Sequence, residues 1–449
     1  MKNKLNFTKD KISELLKKIA IPAATGTLFS SLYTLVDTFY AGLISPNALV
    51  ALSKAFPISF IIIAFGVGIL AGSTSLISNA IGEKDETKAS LYLSQSLIYS
   101  LIVGSGVIFF GLNYSSDLLR LMGTEEENII LTLKYTNIIF AGSIFFYIQL
   151  SLNSGLNAQG DTKSYRNILI LSFFLNIILN PLFVFGYGII PSFGISGLGI
   201  ATITTQFISM VYILIKILKT NIKKYISIKY FYIKINFIKD LFKQGMPITI
   251  SMMLIGIGIY NILFFVSKFG DFAAAGYGVA IRIEQLLLLP IIGLNTAVLS
   301  ITGQNFGAKE YARISEVYFK AIIYGSTFMI IAGFFIFFGG NVIIKLFTKN
   351  SEIIIFGTQY LKIAAFIGPV YPVFFITNAF FQGIKKPIYS TYVNLLRIVI
   401  LPFTTMWVIL NMFNGNYEDL FIGLLIINWF FGILVVCIVK HWFLRKFKN

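Results

Sequence analysis

The second half of this chain repeats its first at a spacing of 225 residues. Pro22 returns as Pro247, Ala48 as Ala273, Gly68 as Gly293, Ser75 as Ser300, Gly82 as Gly307 and Lys84 as Lys309. The repeated unit is apolar almost from end to end, so it cannot close as a water-facing domain. An internally duplicated hydrophobic bundle is the plan of many secondary transporters, in which two similar halves rock about a site held between them.

Only 12% of the 449 residues are charged and 56% are hydrophobic, with mean hydropathy +0.81. A soluble domain carries roughly 25% charged residues. Because about 20 apolar residues cross a bilayer, the pattern predicts an all-α polytopic membrane protein of twelve transmembrane helices in two pseudo-symmetric six-helix bundles. Spans 1, 7 and 8 are expected near 19 to 43, 246 to 268 and 272 to 302. The expected division is an N-terminal lobe over 1–218, a linker over 219–243 and a C-terminal lobe over 244–449.

The formal charge of +17 would suggest nucleic acid in a soluble protein. On the twelve-span map, however, 27 of the 36 Lys and Arg fall on one side: six in the N-terminal arm, eight near the central linker and the rest in the even-numbered loops and the tail. The positive-inside rule then places both termini and the linker in the cytoplasm, the expected location being a bacterial or archaeal plasma (inner) membrane. Both halves then have the same orientation, as in parallel repeats. The linker motif Lys229–Lys234 alternates Lys with Ile, Tyr and Phe, which suits an anionic leaflet.

The chemistry available is narrow. A single Cys437 excludes an intramolecular disulfide and a thiolate metal cluster. His441, in the basic tail, has no acidic neighbour to work with. No phosphate-cradling loop is present, so ATP use would need a separate subunit, which nothing here indicates. The reading is of a non-enzyme with no resident cofactor and no nucleic-acid partner.

Ionisable groups inside a bilayer mark function. Asp37 lies deep in span 1, within Val36-Asp37-Thr38, with Tyr33 one turn earlier. Polar side chains form single-face stripes on neighbouring spans: Gln149, Asn153 and Asn157 on span 4, Ser172, Asn176 and Asn180 on span 5, and Thr202, Thr205, Gln206 and Ser209 on span 6. These stripes and Asp37 are expected to share one hydrophilic cavity, against the alternative of interhelical hydrogen-bonding glue. In the second half the prominent groups are Arg282 and Glu284 on span 8, Asn378 and Gln382 on span 10, and Asn394 and Arg397 on span 11. Glu284 is read either as a proton or cation site or as an ion-pair partner of Arg282 or Arg397.

At these residues the chain resembles the multidrug and toxic compound extrusion (MATE) transporters, over roughly residues 15 to 445. The resemblance rests on Ile21-Pro22, Leu35-Val36-Asp37-Thr38, Gly68 to Gly72 with Asn79-Ala80-Ile81-Gly82, Gln159-Gly160, Leu175-Asn176-Ile177-Ile178-Leu179-Asn180-Pro181, Ala280-Ile281-Arg282-Ile283-Glu284-Gln285, Gly303-Gln304-Asn305-Phe306-Gly307-Ala308 and Gln382-Gly383. It implies a two-lobed antiporter that expels amphipathic, often cationic small molecules as H⁺ or Na⁺ moves inward, with membrane lipids as its surroundings. The chain is most similar to the DinF-like branch, in which the N-terminal lobe holds the coupling cation. Carried onto this sequence, that site is Asp37, Asn176, Asn180 and Thr202. The residues read from the polar stripes and buried groups as lining the substrate cavity are Tyr33, Gln149, Asn153, Asn157, Gln206, Glu284 and Asn378. The branch commonly has Asp where this chain has Asn180, and the single remaining carboxylate favours H⁺ over Na⁺. Two alternatives stay open: a flippase for a lipid-linked saccharide or other amphipathic lipid, and a non-transporting membrane scaffold or receptor.

Overall fold

A computed structural model describes residues 5–225 and 232–445. The described residues form helices α1 (Ile12–Ile44), α2 (Pro46–Gly82), α3 (Glu86–Leu121), α4 (Glu126–Ala158), α5 (Thr162–Phe185), α6 (Ile195–Ile217) and α7 (Ile235–Val266). They continue with α8 (Asp271–Leu287), α9 (Leu289–Gly307), α10 (Tyr311–Lys345), α11 (Ser351–Ile367), α12 (Tyr371–Gly383), α13 (Pro387–Asn394), α14 (Leu401–Met412) and α15 (Tyr417–Ile438). Eleven helices or helix pairs are long and apolar enough to cross a membrane, and the bent pair α8–α9 makes a twelfth span. The chain is therefore a multi-pass membrane protein.

Span 8, expected as one helix over 272 to 302, is two helices. It bends by 44° between Leu287 and Leu289, where Pro290 opens the next helix and cannot continue the hydrogen-bond ladder of the one before. Span 11 holds a π-helical turn at Leu395–Ile400, between α13 and α14, and Arg397 sits in it. Such turns mark functional positions in many helices.

The compact units do not follow the two halves of the sequence. One comprises Thr25–Thr249 and the other Met1–Ala24 with Ile250–Asn449. The boundary expected inside the 219–243 linker falls instead within α1 and α7, two residues after Pro22 and two after Pro247. The reason lies in the packing of each helix's first half. In the first unit, α7 meets α2 backbone to backbone: a Cβ added at Gly72 would stand 2.9 Å from Gly245 Cα, and one at Gly68 would stand 2.8 Å from the Gly245 carbonyl oxygen. In the second unit the equivalent glycine of the repeat, Gly293, crosses Ala20 and Ala24, and a Cβ there would stand 2.9 Å from the Ala24 Cβ. Small residues at both crossings let the helices approach closely, as membrane helices must without a hydrophobic drive between them.

The arms leading into α1 and α7 are tied down by the same logic. Arg313 donates to the carbonyl oxygens of Phe7 (3.0 Å) and Asp10 (2.6 Å), and Asn305 also donates to Phe7 (3.1 Å). In the other unit Gln95 donates to the carbonyl of Tyr232 (2.9 Å) and accepts from the Lys234 amide (2.8 Å), while Tyr92 donates to Asp240 (2.9 Å). Phe7 and Tyr232 stand at the repeat spacing of 225. The linker segment Lys229–Phe231 lies outside the described residues.

Repeat geometry extends to turns. Lys84, Gly160, Lys309 and Lys385 all have left-handed backbones, with φ of 59°, 82°, 62° and 59°. The first and third, and likewise the second and fourth, are 225 apart. Each follows a span that ends at a Gly or Ala and lets the next begin within a few residues.

Candidate ion-coupling site

In the unit containing α2 to α6, α1 carries Asp37 opposite a polar stripe of α5. The carboxylate is 6% exposed. Its Oδ1 accepts the amide of Asn176 and the amide of Asn180, both at 2.9 Å. Asn180 also donates to Asn176 Oδ1 at 3.1 Å. The spacing of four residues puts the two amides one turn apart on α5, which is why they converge on one oxygen. Asp37 makes no ion pair among the described residues, so neutral polar groups, the two amides with Thr202 beside them, compensate its charge inside the protein.

Thr202, on α6, and Tyr33, one turn below Asp37, complete the group. Their hydroxyls and Asn180 Oδ1 are buried without a hydrogen bond of standard geometry. One turn further along α5, Ser172 shares a hydrogen bond of 2.9 Å with Ser209 of α6. The four residues expected to form a coupling site therefore do come together. Both amides present N–H, not oxygen, to the carboxylate. That arrangement suits an ionised carboxylate poised to accept a proton on Oδ2, which neither amide engages. It presents fewer oxygens than the six or so a hard metal ion gathers. No group of three or more His, Cys, Asp or Glu side chains suited to a metal occurs among the described residues.

The stripe on α4 stands apart from this hydrogen-bonded set. Gln149, Asn153 and Asn157 are all buried, and Asn153 is 0% exposed with both its amide nitrogen and its oxygen unpartnered. Gln206 is half-buried on α6. None of these four hydrogen-bonds to Asp37 or its amides, and the hydrogen-bonded cluster itself is built from α1, α5 and α6.

In the other unit Glu284 lies near the end of α8, just before the bend. It is buried and accepts the Tyr360 hydroxyl on Oε2 at 2.5 Å, while Oε1 has no partner. Tyr371 and Arg397 are its further polar neighbours. Of the two readings of Glu284, the close ion pair is not formed: no Arg nitrogen lies within 4.0 Å of it among the described residues, Arg397 acts on it only at longer range, and Arg282 is exposed. Arg397 instead lies over the rings of Phe374 (4.4 Å) and Tyr371 (4.6 Å), with Asn428 at 3.5 Å. The π-helical turn redirects this side chain relative to a regular helix, and aromatic faces hold its charge. Tyr277, Tyr360, Tyr417 and Phe421 pack edge-on and stacked around the same region, with centroids 4.7 to 5.7 Å apart. Asn378 donates to Asn394 at 2.9 Å and forms a separate pair. The tyrosine shell was not legible in the sequence, because 23 tyrosines scattered over the chain give no periodic signal.

A twice-built bundle of membrane helices, with a desolvated carboxylate on amides in one unit and a carboxylate in an aromatic shell in the other, defines a polytopic protein of the transporter type. The MatE family model matches residues 22–182 and again 247–408, and the chain belongs to this family. It is 28% identical over 352 residues to the probable multidrug resistance protein YoeA of Bacillus subtilis, covering 76% of this chain and 75% of that protein. It is 24% identical over 405 residues to the FAD transporter of Shewanella oneidensis, covering 89% of each. Among solved structures, a MOP superfamily transporter from Pyrococcus furiosus aligns with TM-score 0.91 at 24% identity, covering 99% of this chain and 98% of that one. The likeness fixes the fold.

Proposed function

We propose that the protein is a secondary antiporter that exports amphipathic, cationic small molecules in exchange for inward-moving H⁺, by alternating access in the plasma membrane with both termini cytoplasmic. The observation that carries the reading is Asp37, a buried carboxylate with two amide donors on one oxygen and no cationic partner. The multidrug-resistance relative supports the substrate class. Protonation of Oδ2 from outside removes a buried charge, loosens the hold of Asn176 and Asn180 on α1, and lets the helix repack. Deprotonation toward the cytoplasm restores it. Coupling requires only that proton and substrate bias the same two-state equilibrium in opposite directions. Glu284, in its tyrosine shell, is the group best suited to a flat cation, since a carboxylate and aromatic faces both attract one.

The test is efflux of a fluorescent cation such as ethidium from proteoliposomes under separately imposed pH and Na⁺ gradients, comparing wild type with Asp37→Asn. Efflux driven by the pH gradient and lost in the variant is the expected result. Transport that persists in Asp37→Asn would remove Asp37 from the coupling step. No efflux under either gradient would favour a lipid-linked substrate instead.

A further inference from the structure

We infer that the face formed by α2, α3 and α4 holds one acyl chain of a bilayer phospholipid as a bound ligand, at a site separate from the polar cluster around Asp37. The groove has a volume of about 490 Å³, within the range of roughly 300 to 1,000 Å³ typical of small-molecule sites. It runs along α3, whose residues Val103, Gly106, Phe110 and Tyr114 lie on one helical face, with Phe65 of α2 and Phe140 of α4 on its flanks. At 1.5 Å per residue the lined stretch from Val103 to Leu118 is about 22 Å long, enough for a chain that crosses one leaflet of about 15 Å.

The chemistry of the lining selects hydrocarbon. No ionisable side chain other than Tyr114 lines the groove, and the one other hydroxyl, Ser115, donates to the Gly111 carbonyl of its own helix. A cationic substrate would find no counter-charge there. At the near end of α3, Arg120 is already taken by Glu126 at 2.8 Å and Asp117 at 3.6 Å, so the chain and not the head group is recognised. Two glycines shape the groove in different ways. A Cβ at Gly106 would meet nothing within 4 Å, so this position gives the groove its depth. A Cβ at Gly111 would strike the Phe140 ring, so this glycine lets that ring close one side. Phe110 and Tyr114, tilted 32° at 5.7 Å, make the outer wall.

The experiment is photolabelling of the full chain in nanodiscs that contain a phospholipid with a diazirine in its acyl chain, followed by peptide mapping. The reference is the Phe334–Phe338 stretch of α10, whose Phe334, Phe335 and Phe338 are 62% to 68% exposed, like Phe110 at 63%. Adducts on Val103–Leu118 are expected to exceed those on the α10 stretch several-fold. Gly106→Trp, which fills open space and leaves packed neighbours alone, is expected to bring α3 labelling down to the α10 level while α10 labelling stays unchanged. Equal labelling of both stretches in the wild type, or α3 labelling unaffected by Gly106→Trp, would overturn the inference.

Discussion

Asp37 and Asn180 together decide how many charges the candidate coupling site offers. With Asn at position 180 the site has one carboxylate, and its amide is turned to donate to Asp37. Substituting Asn180→Asp would replace that donor with a second carboxylate beside the first, and two such groups cannot both stay ionised in a desolvated site without a cation between them. The expected outcome is efflux that becomes stimulated by a Na⁺ gradient and weaker under a pH gradient alone. Unchanged ion dependence in the same vesicle assay would show that residue 180 does not set the ion. A four-residue spacing on one helix fixes a shared face, so the sequence alone puts Asn176 and Asn180 side by side. Which atom of each amide meets which oxygen of Asp37 depended on the approach of α1 and α5.

At the scale of elements, the crossings of α2 with α7 and of α9 with α1 are set by residues without side chains to spare. Gly72→Ala would push a Cβ to 2.9 Å from the Gly245 Cα and 3.0 Å from its nitrogen. Because the obstacle is backbone, the helices must separate, at a cost of about 1 to 3 kcal/mol. Gly256→Ala, on α7 with nothing within 4 Å of the new Cβ, should instead stabilise by about 0.5 to 1 kcal/mol through its higher helix propensity. Thermal unfolding in detergent should therefore move in opposite directions for the two variants. Equal shifts would mean that the close approach is not what holds α7 in place. Proline signals were visible in the sequence, yet their effects differed: Pro290 breaks span 8, whereas Pro22 and Pro247 lie inside continuous helices. The difference is positional, since Pro290 falls where a new helix starts.

For the whole molecule, the distribution of Lys and Arg makes a topological prediction. In a Cys437→Ser background, a single cysteine in place of Tyr187, in the exposed 5/6 loop, should react with a membrane-impermeant maleimide on intact cells. One in place of Asn221, after α6, should react only after permeabilisation. The reverse pattern would invert the assigned orientation. Both positions are exposed, so access to the reagent is governed by the side of the membrane.

The sequence by itself determined the number of spans, the duplication and the charge asymmetry, because apolar length and a 225-residue repeat are properties of the chain that no packing can alter. It also singled out Asp37, since a carboxylate within an apolar span has few inert explanations. Only the tertiary structure decided that the first halves of α1 and α7 belong to the units they do, that Glu284 rests on a tyrosine hydroxyl and not on an arginine, and that Arg397 lies over aromatic rings. These outcomes depend on which helix faces meet. That is set by small-residue contacts and local breaks such as the bend at Pro290 and the π-helical turn, whose consequences a one-dimensional pattern does not contain.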